Sequence, residues 1–409
     1  MYRLNRLENI SVHAKQRCAR LVKDDRGSSI LFVLALITVM ILLGGAITNT
    51  TILESRDAYW QLHWTQAFYL AEAGIAQAFK EFDTIAIDLS TLLKGADGIA
   101  QTADDGLLSF GESVSLANGN CSVIITDNDD GDGDSYSDSD NIIQVTSTGS
   151  IPASSDIERT IVSYLQVFPA PNPVGIASAI TSAGPIQTSG NLTVDGRDHD
   201  LNGTVVSNNG VVGITTAAPT FQQSGNSKVG GTVEGIDDVP KNKNSVNPDV
   251  IETNAILSFN TPDQLVGYPE EGGYLKIIAQ SGKSGSQYCT DPADLTFPLS
   301  GVTYVDLPSG VPWNAIDFGN SSGILVVHNA TTDAVIKNLN TGTFSGLIIA
   351  DDMIHVHTTI LGAVVTLTSA PSAGNSIGNG SGDVLYSSEA IQTITQVSIG
   401  PTVWQKSWF

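Results

Sequence analysis

Residues 30–47 read ILFVLALITVMILLGGAI, and this apolar stretch decides the fold of the first part of the chain. It holds no charged side chain, and Thr38 is its only hydroxyl-bearing residue. As a helix it would rise about 27 Å, close to the thickness of the hydrocarbon core of a bilayer. A cleaved secretory signal has a shorter apolar region before its cleavage site, so the stretch predicts a retained membrane span.

Charge is unevenly distributed along the chain. Residues 1–27 hold seven basic and three acidic side chains, whereas the whole protein of 409 residues has a net charge of −23. Positive charge beside a span favours the cytoplasmic side, so we expect a cytoplasmic leader, a single pass through the inner membrane and an acidic body outside it. The acidic balance excludes the basic footprint of a nucleic-acid-binding protein.

Composition narrows the fold class of the body. Hydrophobic residues make up 41% and charged residues 15%, which excludes a disordered chain. Forty glycines and few aromatic residues favour turn-rich β structure, so the whole chain is predicted to be α+β and mostly β.

The helical pattern continues beyond the span. No proline precedes Pro152, so the sequence predicts one helix over residues 28–83 with an amphipathic second half. Apolar or small residues recur at steps of three and four to form its predicted stripe: Trp60, His63, Trp64, Ala67, Leu70, Ala71, Gly74, Ile75, Ala78, Phe79 and Phe82.

This region resembles the N-terminal part of type IV pilins and pseudopilins, and more narrowly that of PilX-type minor pilins. The similarity rests on RG at residues 26–27, on the polar exit TTILE at 50–54 and on AFYLAEAG at 67–74. It implies that a prepilin peptidase cleaves between Gly27 and Ser28, and that the helix packs against other pilins or pseudopilins.

One position departs from the pattern of the major pilins. Those subunits carry a glutamate at the fifth residue after cleavage, which pairs with the N-terminal amine of a neighbour during assembly. Counted from Ser28, the fifth residue here is Phe32. Because some minor subunits also lack this glutamate, the substitution favours a minor subunit. The alternative is a plain single-pass anchor with a cytoplasmic tail.

Residues 84–168 predict a small β-rich head. Runs with strand composition occupy 113–126, 141–148 and 160–167, and a three-stranded meander packed on the helix would account for them.

Two acidic loops in this head predict calcium sites, because crowded carboxylates repel one another unless a cation lies among them. The loop DNDDGDGDSYSDSDN covers residues 127–141. Its spacing partly matches a calcium-binding loop, with Asp130, Asp132, Asp134 and Asp138 as candidate ligands.

A second register of that loop, starting at Asn128, regains a glycine but loses the ninth ligand. The shorter loop GADGIAQTADDG offers Asp97, Asp104 and Asp105. The alternative for both loops is a solvated acidic turn.

A proline-rich linker at 169–174 precedes a large region, 175–400. Gly323, Gly346 and Gly362 each open an apolar run, at the spacing of one coil of a β-solenoid. A right-handed parallel β-helix is therefore the predicted fold, with a β-sandwich as the alternative. Three segments also resemble the solenoid-like domain found behind PilX-type N-termini: 190–203, 344–366 and 382–391.

A membrane-anchored, polysaccharide-active β-helix enzyme is the competing function. Its best candidate site is a charged cluster, which we interpret as a solvated corner turn: Asp195, Arg197, Asp198, His199 and Asp200. We interpret three histidines as a polar surface row and not as metal ligands: His328, His355 and His357. No pattern typical of a catalytic site is present, so we expect no enzymatic activity.

Cys121 and Cys289 remain after removal of a leader that contains Cys18. Disulfides are allowed in an oxidising compartment, so a bond between the two is a candidate.

Together these patterns predict a pilus or pseudopilus minor subunit that acts in assembly, priming or surface contact. Its expected partners are other pilins, the peptidase, the inner membrane and a surface glycan or protein, with calcium as a cofactor. The assembled protein would reach the pilus or the cell surface. A single-pass adhesin without a filament partner is the remaining alternative.

Overall fold

The computed structural model describes these residues: 25–84, 89–117, 119–128, 131, 133–138, 140–151, 157–168, 171–173, 176–206, 209–269, 273–393 and 402–408. They belong to two compact units. The first consists of the chain up to Gly74, Ser113–Ser122 and Thr148–Thr160, and the second of Ile75–Glu112, Val123–Ser147 and Ile161–Phe409.

The chain begins with one long helix, α1 (Asp25–Thr84), which confirms the predicted N-terminal helix. Within the described part of the chain, α1 is the helix long and apolar enough to cross a membrane, over Ser29–Phe82. The large apolar side chains of residues 30–47 are exposed. This half of α1 therefore offers its apolar surface to surroundings other than its own fold.

The second half of α1 buries a narrow stripe. Its fully or nearly fully buried apolar members are Ala67, Leu70, Ala71, Ile75, Ala78 and Phe82. Trp64 was predicted to belong to this stripe, but it is exposed. The stripe is narrower than predicted because the packing surface accepts mainly small residues where the sheet comes closest.

Gly149 marks that close approach within the first unit. A Cβ atom on Gly149 would overlap the carbonyl oxygen of Ala67 and lie 2.6 Å from the amide nitrogen of Ala71. A side chain at residue 149 would therefore push the strand away from α1.

The head contains α2 (Leu89–Leu93) and a five-stranded sheet of order β1-β2-β3-β4-β21. The strands are β1 (Ser113–Leu116), β2 (Gly119–Asp127), β3 (Ile142–Ser150), β4 (Glu158–Phe168) and, from the C-terminus, β21 (Thr402–Trp408). The run predicted as one strand at 113–126 is divided into the antiparallel pair β1 and β2. The other described pairing, β4 with β21, is also antiparallel.

The second sheet contains sixteen strands. They are β5 (Ser178–Ser182), β6 (Ile186–Gly190), β7 (Thr193–Asp195), β8 (Val212–Thr216), β9 (Phe221–Gln223), β10 (Lys228–Val233), β11 (Ile236–Lys241), β12 (Ile251–Glu252), β13 (Gln287–Cys289), β14 (Val302–Val305), β15 (Trp313–Val327), β16 (Val335–Ala350), β17 (Asp352–Val356), β18 (Thr359–Thr366), β19 (Ser376–Gly380) and β20 (Asp383–Leu385).

These strands stack in three parallel ladders. Ladder A follows β13-β14-β15-β16-β18-β5-β8-β12, ladder B follows β15-β16-β17-β19-β6-β9, and ladder C follows β15-β16-β18-β20-β7-β10. The long strands β15 and β16 bend and contribute to all three ladders. Among the described pairs of this sheet, β10 with β11 is the antiparallel exception. A β-sandwich, the alternative fold, would pair its strands antiparallel.

The chain runs through the ladders in the repeating order B, C, A, which curls the sheet around one core. The predicted glycine spacing is confirmed, since Gly323, Gly346 and Gly362 are direct register partners. The core between the ladders is apolar, and Phe318 and Phe344 pack within it with ring centroids 5.2 Å apart.

The sixteen-stranded sheet and the segments that join its strands, residues 176–393, are called the second domain, and this domain is an insertion in the head sheet. It lies between β4 and β21 in sequence, and these two strands are neighbours in the head. Its first strand, β5, lies between β18 and β8, and its last strand, β20, lies between β18 and β7. The chain therefore enters and leaves this domain in the middle of the stack and not at its ends.

A crossover carries the chain from β12, at one end of ladder A, to β13, at the other. It contains α3 (Pro262–Leu265) and α4 (Tyr274–Ser281). Leu275 and Ile278 of α4 join the cluster that covers the outer surface of ladder A, together with Val326 and Ile349. Burial of each such side chain stabilises the fold by about 1.5–3 kcal/mol.

Candidate functional site

The exposed apolar surface of α1 is the first candidate site. Gly27 and Ser28, the predicted cleavage position, lie in the first turn of α1. Phe32 is exposed beside other large apolar side chains. The surface around it offers non-directional apolar contacts, which suit lipid tails and apolar helices alike.

An aromatic patch lies further along α1. Trp64, Phe68 and Tyr69 are exposed and line a shallow groove of about 640 Å³ with Arg159 of β4. The guanidinium carbon of Arg159 lies 4.4 Å from the centroid of the Trp64 ring, a cation–π contact. This contact explains why Trp64 lies beside the buried stripe and not within it.

The loop at 95–106 brings its three predicted ligands together. Carboxylate oxygens of Asp97, Asp104 and Asp105 lie within 4.8 Å of one another. The loop is fixed to the head by hydrogen bonds from the Gly106 amide to the Leu92 carbonyl (2.8 Å) and from the Ile125 amide to the Gly106 carbonyl (2.9 Å). The carboxylates are thus presented by an anchored turn.

Donors within this loop already satisfy part of its charge. The Ala96 amide donates to Asp104 Oδ2 (2.9 Å), and the Thr102 hydroxyl lies 2.8 Å from Asp104 Oδ1. These two hydrogen bonds hold the pKa of Asp104 below its ordinary value, and the bond from Thr102 has the larger effect. Asp104 is therefore ionised at neutral pH. The ligand types and their spacing fit a hard cation such as Ca²⁺.

The longer acidic loop is described only in part. Asp130 and Asp132 lie outside the described residues. Asp134 accepts a hydrogen bond from the Tyr136 amide (3.0 Å), and Asp138 accepts one from the Ile142 amide (3.1 Å). Burial, and then the charge of Asp140, raises the pKa of Asp138. A neighbouring cation would relieve this cost.

Three residues of the charged cluster of the second domain, Asp195, Asp198 and His199, are buried, so the interpretation as a solvated corner was wrong for them, while Arg197 and Asp200 are partly exposed. Arg197 donates to both carboxylate oxygens of Asp195, from Nε to Oδ1 (3.0 Å) and from Nη2 to Oδ2 (2.6 Å). Asp198 accepts from the amide (2.8 Å) and the hydroxyl (2.7 Å) of Ser388. These hydrogen bonds join the turn after β7 to the segment after β20. The close contact of the two segments explains why Asp195, Asp198 and His199 are buried.

His199 completes this network. Its Nδ1 lies 2.6 Å from the Arg197 carbonyl oxygen and 3.1 Å from that of Tyr386, while Nε2 lies 3.5 Å from Asp195 Oδ2. Burial lowers the pKa of His199, but the hydrogen bond and charge of Asp195 outweigh it, so the pKa is raised overall. Burial alone would raise the pKa of Asp195. The hydrogen bonds that Asp195 accepts from His199 and Arg197 outweigh burial, so the pKa of Asp195 is lowered overall.

The other histidines of the second domain have separate partners. His328 Nδ1 lies 2.6 Å from the fully buried Asp351. His357 lies 2.9 Å from the Ser381 hydroxyl, and His355 lies 3.0 Å from the Asn338 side chain. These contacts join neighbouring turns of the stack.

Cys121 and Cys289, the candidate disulfide pair, are both free and buried in the described part of the chain. Cys121 belongs to the inward face of β2 and Cys289 to the core of the second domain. Burial raises the pKa of Cys121, and it raises that of Cys289 to about 11. Both thiols therefore act as small core residues.

A double row of polar side chains on the outside of ladder C was not predicted from the sequence. Its members lie three residues and one residue before the stacked glycines, as in Asn320 and Ser322 before Gly323. The sequence does show polar residues at alternating positions before each of these glycines. Recognising them as a row requires knowing that the glycines are register partners.

No protein-family model and no curated protein matches the chain. Among solved structures it is similar to the competence-associated pilin ComZ from Thermus thermophilus, with 14% identity and a TM-score of 0.25. The alignment covers 85% of this chain and 97% of that chain. The function proposed below therefore rests on the residues of this chain and their geometry.

Proposed function

We propose that this chain is a minor subunit of a type IV pilus or pseudopilus, similar to the PilX-type minor pilins. Its role is structural, in filament assembly or priming and in surface contact. The observation that carries the proposal is α1, in which an exposed apolar stretch and a narrow stripe buried in the fold belong to one helix. A plain membrane anchor needs only the first of these halves.

The apolar half of α1 serves in two environments. Before assembly it spans the inner membrane with the leader in the cytoplasm, and a prepilin peptidase cleaves after Gly27. In the filament it exchanges lipid for the apolar helices of other subunits. The chemistry of both surroundings is similar, so the transfer demands no new polar partner.

Phe32 limits how the subunit joins the filament. A carboxylate in lipid is costly unless it is paired, and at this position it would select a neighbour with a free amine. Phenylalanine avoids the cost and gives up the directional contact. The subunit therefore joins through apolar packing and shape, which suits a minor position.

The inserted domain is the part displayed outside the cell. We propose that it is a right-handed parallel β-helix. Its three parallel ladders support the proposal, together with the strong right-handed preference of connections between parallel strands of one sheet. A head of this size on every subunit would crowd a repeating lattice, so a tip or another low-copy position suits it best.

Calcium is proposed as a structural cofactor of the head. The carboxylates of Asp97, Asp104 and Asp105 are the better supported ligands, because the turn that holds them is anchored to α2 and β2. The acidic loop at 127–141 is a second proposed site through Asp130, Asp132, Asp134 and Asp138. In both, the ion would order a loop.

The protein is proposed to be non-catalytic. The side chains of the cluster that a polysaccharide-active enzyme would use are engaged in the contacts that hold the second domain together. If the purified chain cleaved a glycan and Asp198→Ala abolished the cleavage, the enzyme would replace this proposal.

Complementation of a deletion strain tests the function. We expect fewer surface pili, weaker adhesion or weaker secretion without the gene, restoration by the natural chain, and none by Gly27→Asp, which blocks processing. Ser29→Ala, a small change beside the cleavage position, is the matched control and should restore the phenotype. Unchanged pili, adhesion and secretion in the deletion strain would contradict the proposal, and full rescue by Gly27→Asp would favour a single-pass adhesin.

A further inference from the structure

A groove of about 510 Å³ runs along the outer surface of ladder C. Four neighbouring strands, β15, β16, β18 and β20, form its floor, and the turn at 201–203 forms one wall. Parallel strands lie about 4.8 Å apart, so this floor extends about 14 Å along the stack.

The floor consists of two columns of side chains. Asn320, Thr343 and Thr359 are register partners in the first column, and Ser322 and Ser345 are partners in the second. The residues between them, such as Phe344, belong to the core, so the columns point outward. Equivalent polar groups therefore repeat at the spacing of the strands.

These five polar side chains make no hydrogen bond within the part of the chain that the structure describes. Other polar groups of the stack are engaged, among them Thr358 and the buried Ser321, which lies beneath the groove. The Ser321 hydroxyl accepts from the Leu299 amide, and the Thr358 hydroxyl donates to the Gly342 carbonyl. The groove therefore keeps donors and acceptors for a ligand.

The second column continues with two leucines. Leu361 and Leu385 follow Ser345 in the register, and Leu201 lies in the wall. The groove thus has a hydroxyl-lined part next to an apolar part. Sugar rings have the same combination, since they present hydroxyls at their edges and C–H groups on their faces.

The charges around the groove restrict the class of ligand that could bind there. Among the residues that the structure describes, no charged side chain lines the groove. Asp383 extends the first column, and Glu389 contacts the wall through the Leu201 amide. A polyanion would meet repulsion from these carboxylates and from the acidic body. A neutral ligand with both donors and acceptors would not.

We propose that this groove binds a neutral glycan chain, with hydroxyl and amide groups of the two columns holding successive sugars and the leucines packing against a ring face. The inference deepens the surface-contact role of the proposed function and rests on it. It assigns that role to a named surface of the inserted domain.

Calorimetric titration of the full chain tests the proposal. The detergent must lack a sugar head group, because a maltoside would compete for the groove. The probes are cellohexaose, chitohexaose, maltohexaose and mannohexaose, with hexagalacturonic acid as the anionic counterpart. We expect at least one neutral hexasaccharide to bind and the anionic one to bind more weakly or not at all.

Ser345→Arg should weaken that binding by about tenfold or more, because it places a long side chain across the groove. The matched control is Ser189→Arg, an outward-facing half-buried serine of ladder B, which should leave the affinity within about twofold. If Ser345→Arg fails to fold, Ser322→Arg at the exposed end of the same column replaces it.

Absence of binding to every neutral probe would overturn the proposal. Stronger binding of the anionic probe, or equal weakening by Ser189→Arg and Ser345→Arg, would also overturn it. None of these outcomes bears on cleavage at Gly27 or on pilus number, so a failure here is distinguishable from a failure of the pilin proposal.

Discussion

Gly346 and Gly362 are direct partners in the neighbouring parallel strands β16 and β18, and the backbone of Gly346 occupies the space that a side chain on Gly362 would need. A Cβ atom on Gly362 would overlap the carbonyl oxygen of Gly346 and lie 2.7 Å from its carbonyl carbon. Both glycines also have positive φ angles, of 140° and 135°. The column of glycines therefore sets how closely successive turns of the second domain stack.

Gly362→Ala should destabilise the second domain by about 2–4 kcal/mol, since it combines a strained φ with a backbone overlap. Denaturant unfolding followed by circular dichroism measures the loss. Thr359→Ala lies on the same strand and faces outward, so it should change the free energy of unfolding by less than about 1 kcal/mol. Equal stability of Gly362→Ala and the natural protein would contradict the close stacking.

The inserted position of the second domain predicts that it folds alone. Its first strand, β5, and its last strand, β20, both pair with β18 in mid-stack, so a fragment of residues 171–393 keeps every described strand pair of the second sheet. We expect a monomer with β-type circular dichroism and one cooperative transition. A fragment of residues 171–286 lacks β13–β20 and should not fold, because ladders B and C then lose their central strands. An unfolded 171–393 fragment would contradict the insertion.

Calcium binding to the loop at 95–106 predicts a stability change that depends on one carboxylate. Calcium should raise the melting temperature of the natural protein, and a chelator should reverse the effect. Asp104→Asn should remove most of this response, whereas Asp249→Asn, in the second domain, should leave it intact. A melting temperature that does not respond to calcium in the natural protein would count against both proposed sites.

His199 predicts a pH dependence of stability. Its pKa is raised in the folded protein, so protonation of His199 favours the fold. This contribution is fully present below the ordinary pKa of 6.5 and is lost as pH rises through the folded value. The free energy of unfolding of the second domain should therefore fall between mildly acidic and alkaline pH. His199→Gln should flatten the profile, and an unaltered slope in that variant would contradict the account.

Local patterns predicted the parts of this fold that depend on neighbouring residues. The apolar run at 30–47, the stripe that follows it and the absence of proline before Pro152 predicted the long helix, and the spacing of three glycines predicted the stacking register. The boundary of the buried stripe was not predictable in the same way. Trp64 has the right spacing, but its place is decided by Arg159 and by the closeness of the sheet at Gly149.

Long-range pairing explains what the sequence did not predict. The Thr366 and Ser182 hydroxyls, 2.7 Å apart, and the bonds from Ser388 to Asp198 join residues more than 180 positions apart. Nothing in the local sequence around 195–200 distinguishes a solvated turn from a buried turn that is hydrogen-bonded to a distant segment. The pairing of β21 with β4 has the same character, and it places the C-terminus in the head sheet.

The candidate sites also differ in whether their residues are neighbours in sequence or come together only in the fold. The carboxylates of the loop at 95–106 are close in sequence and were identified together. The five polar side chains of the groove come from three strands, so they converge only once the register is known. The two cysteines are a different case, because composition allows a pairing that depends on tertiary placement and not on local sequence.

The most direct test of the pilin account is the N-terminus of the mature protein. Intact mass and N-terminal sequencing should be measured on membrane-extracted protein from cells with and without the prepilin peptidase. If the chain is a pilin subunit, it should begin at Ser28 only when the peptidase is present. A chain that retains Met1 in both strains would overturn the pilin proposal and leave a plain anchored protein.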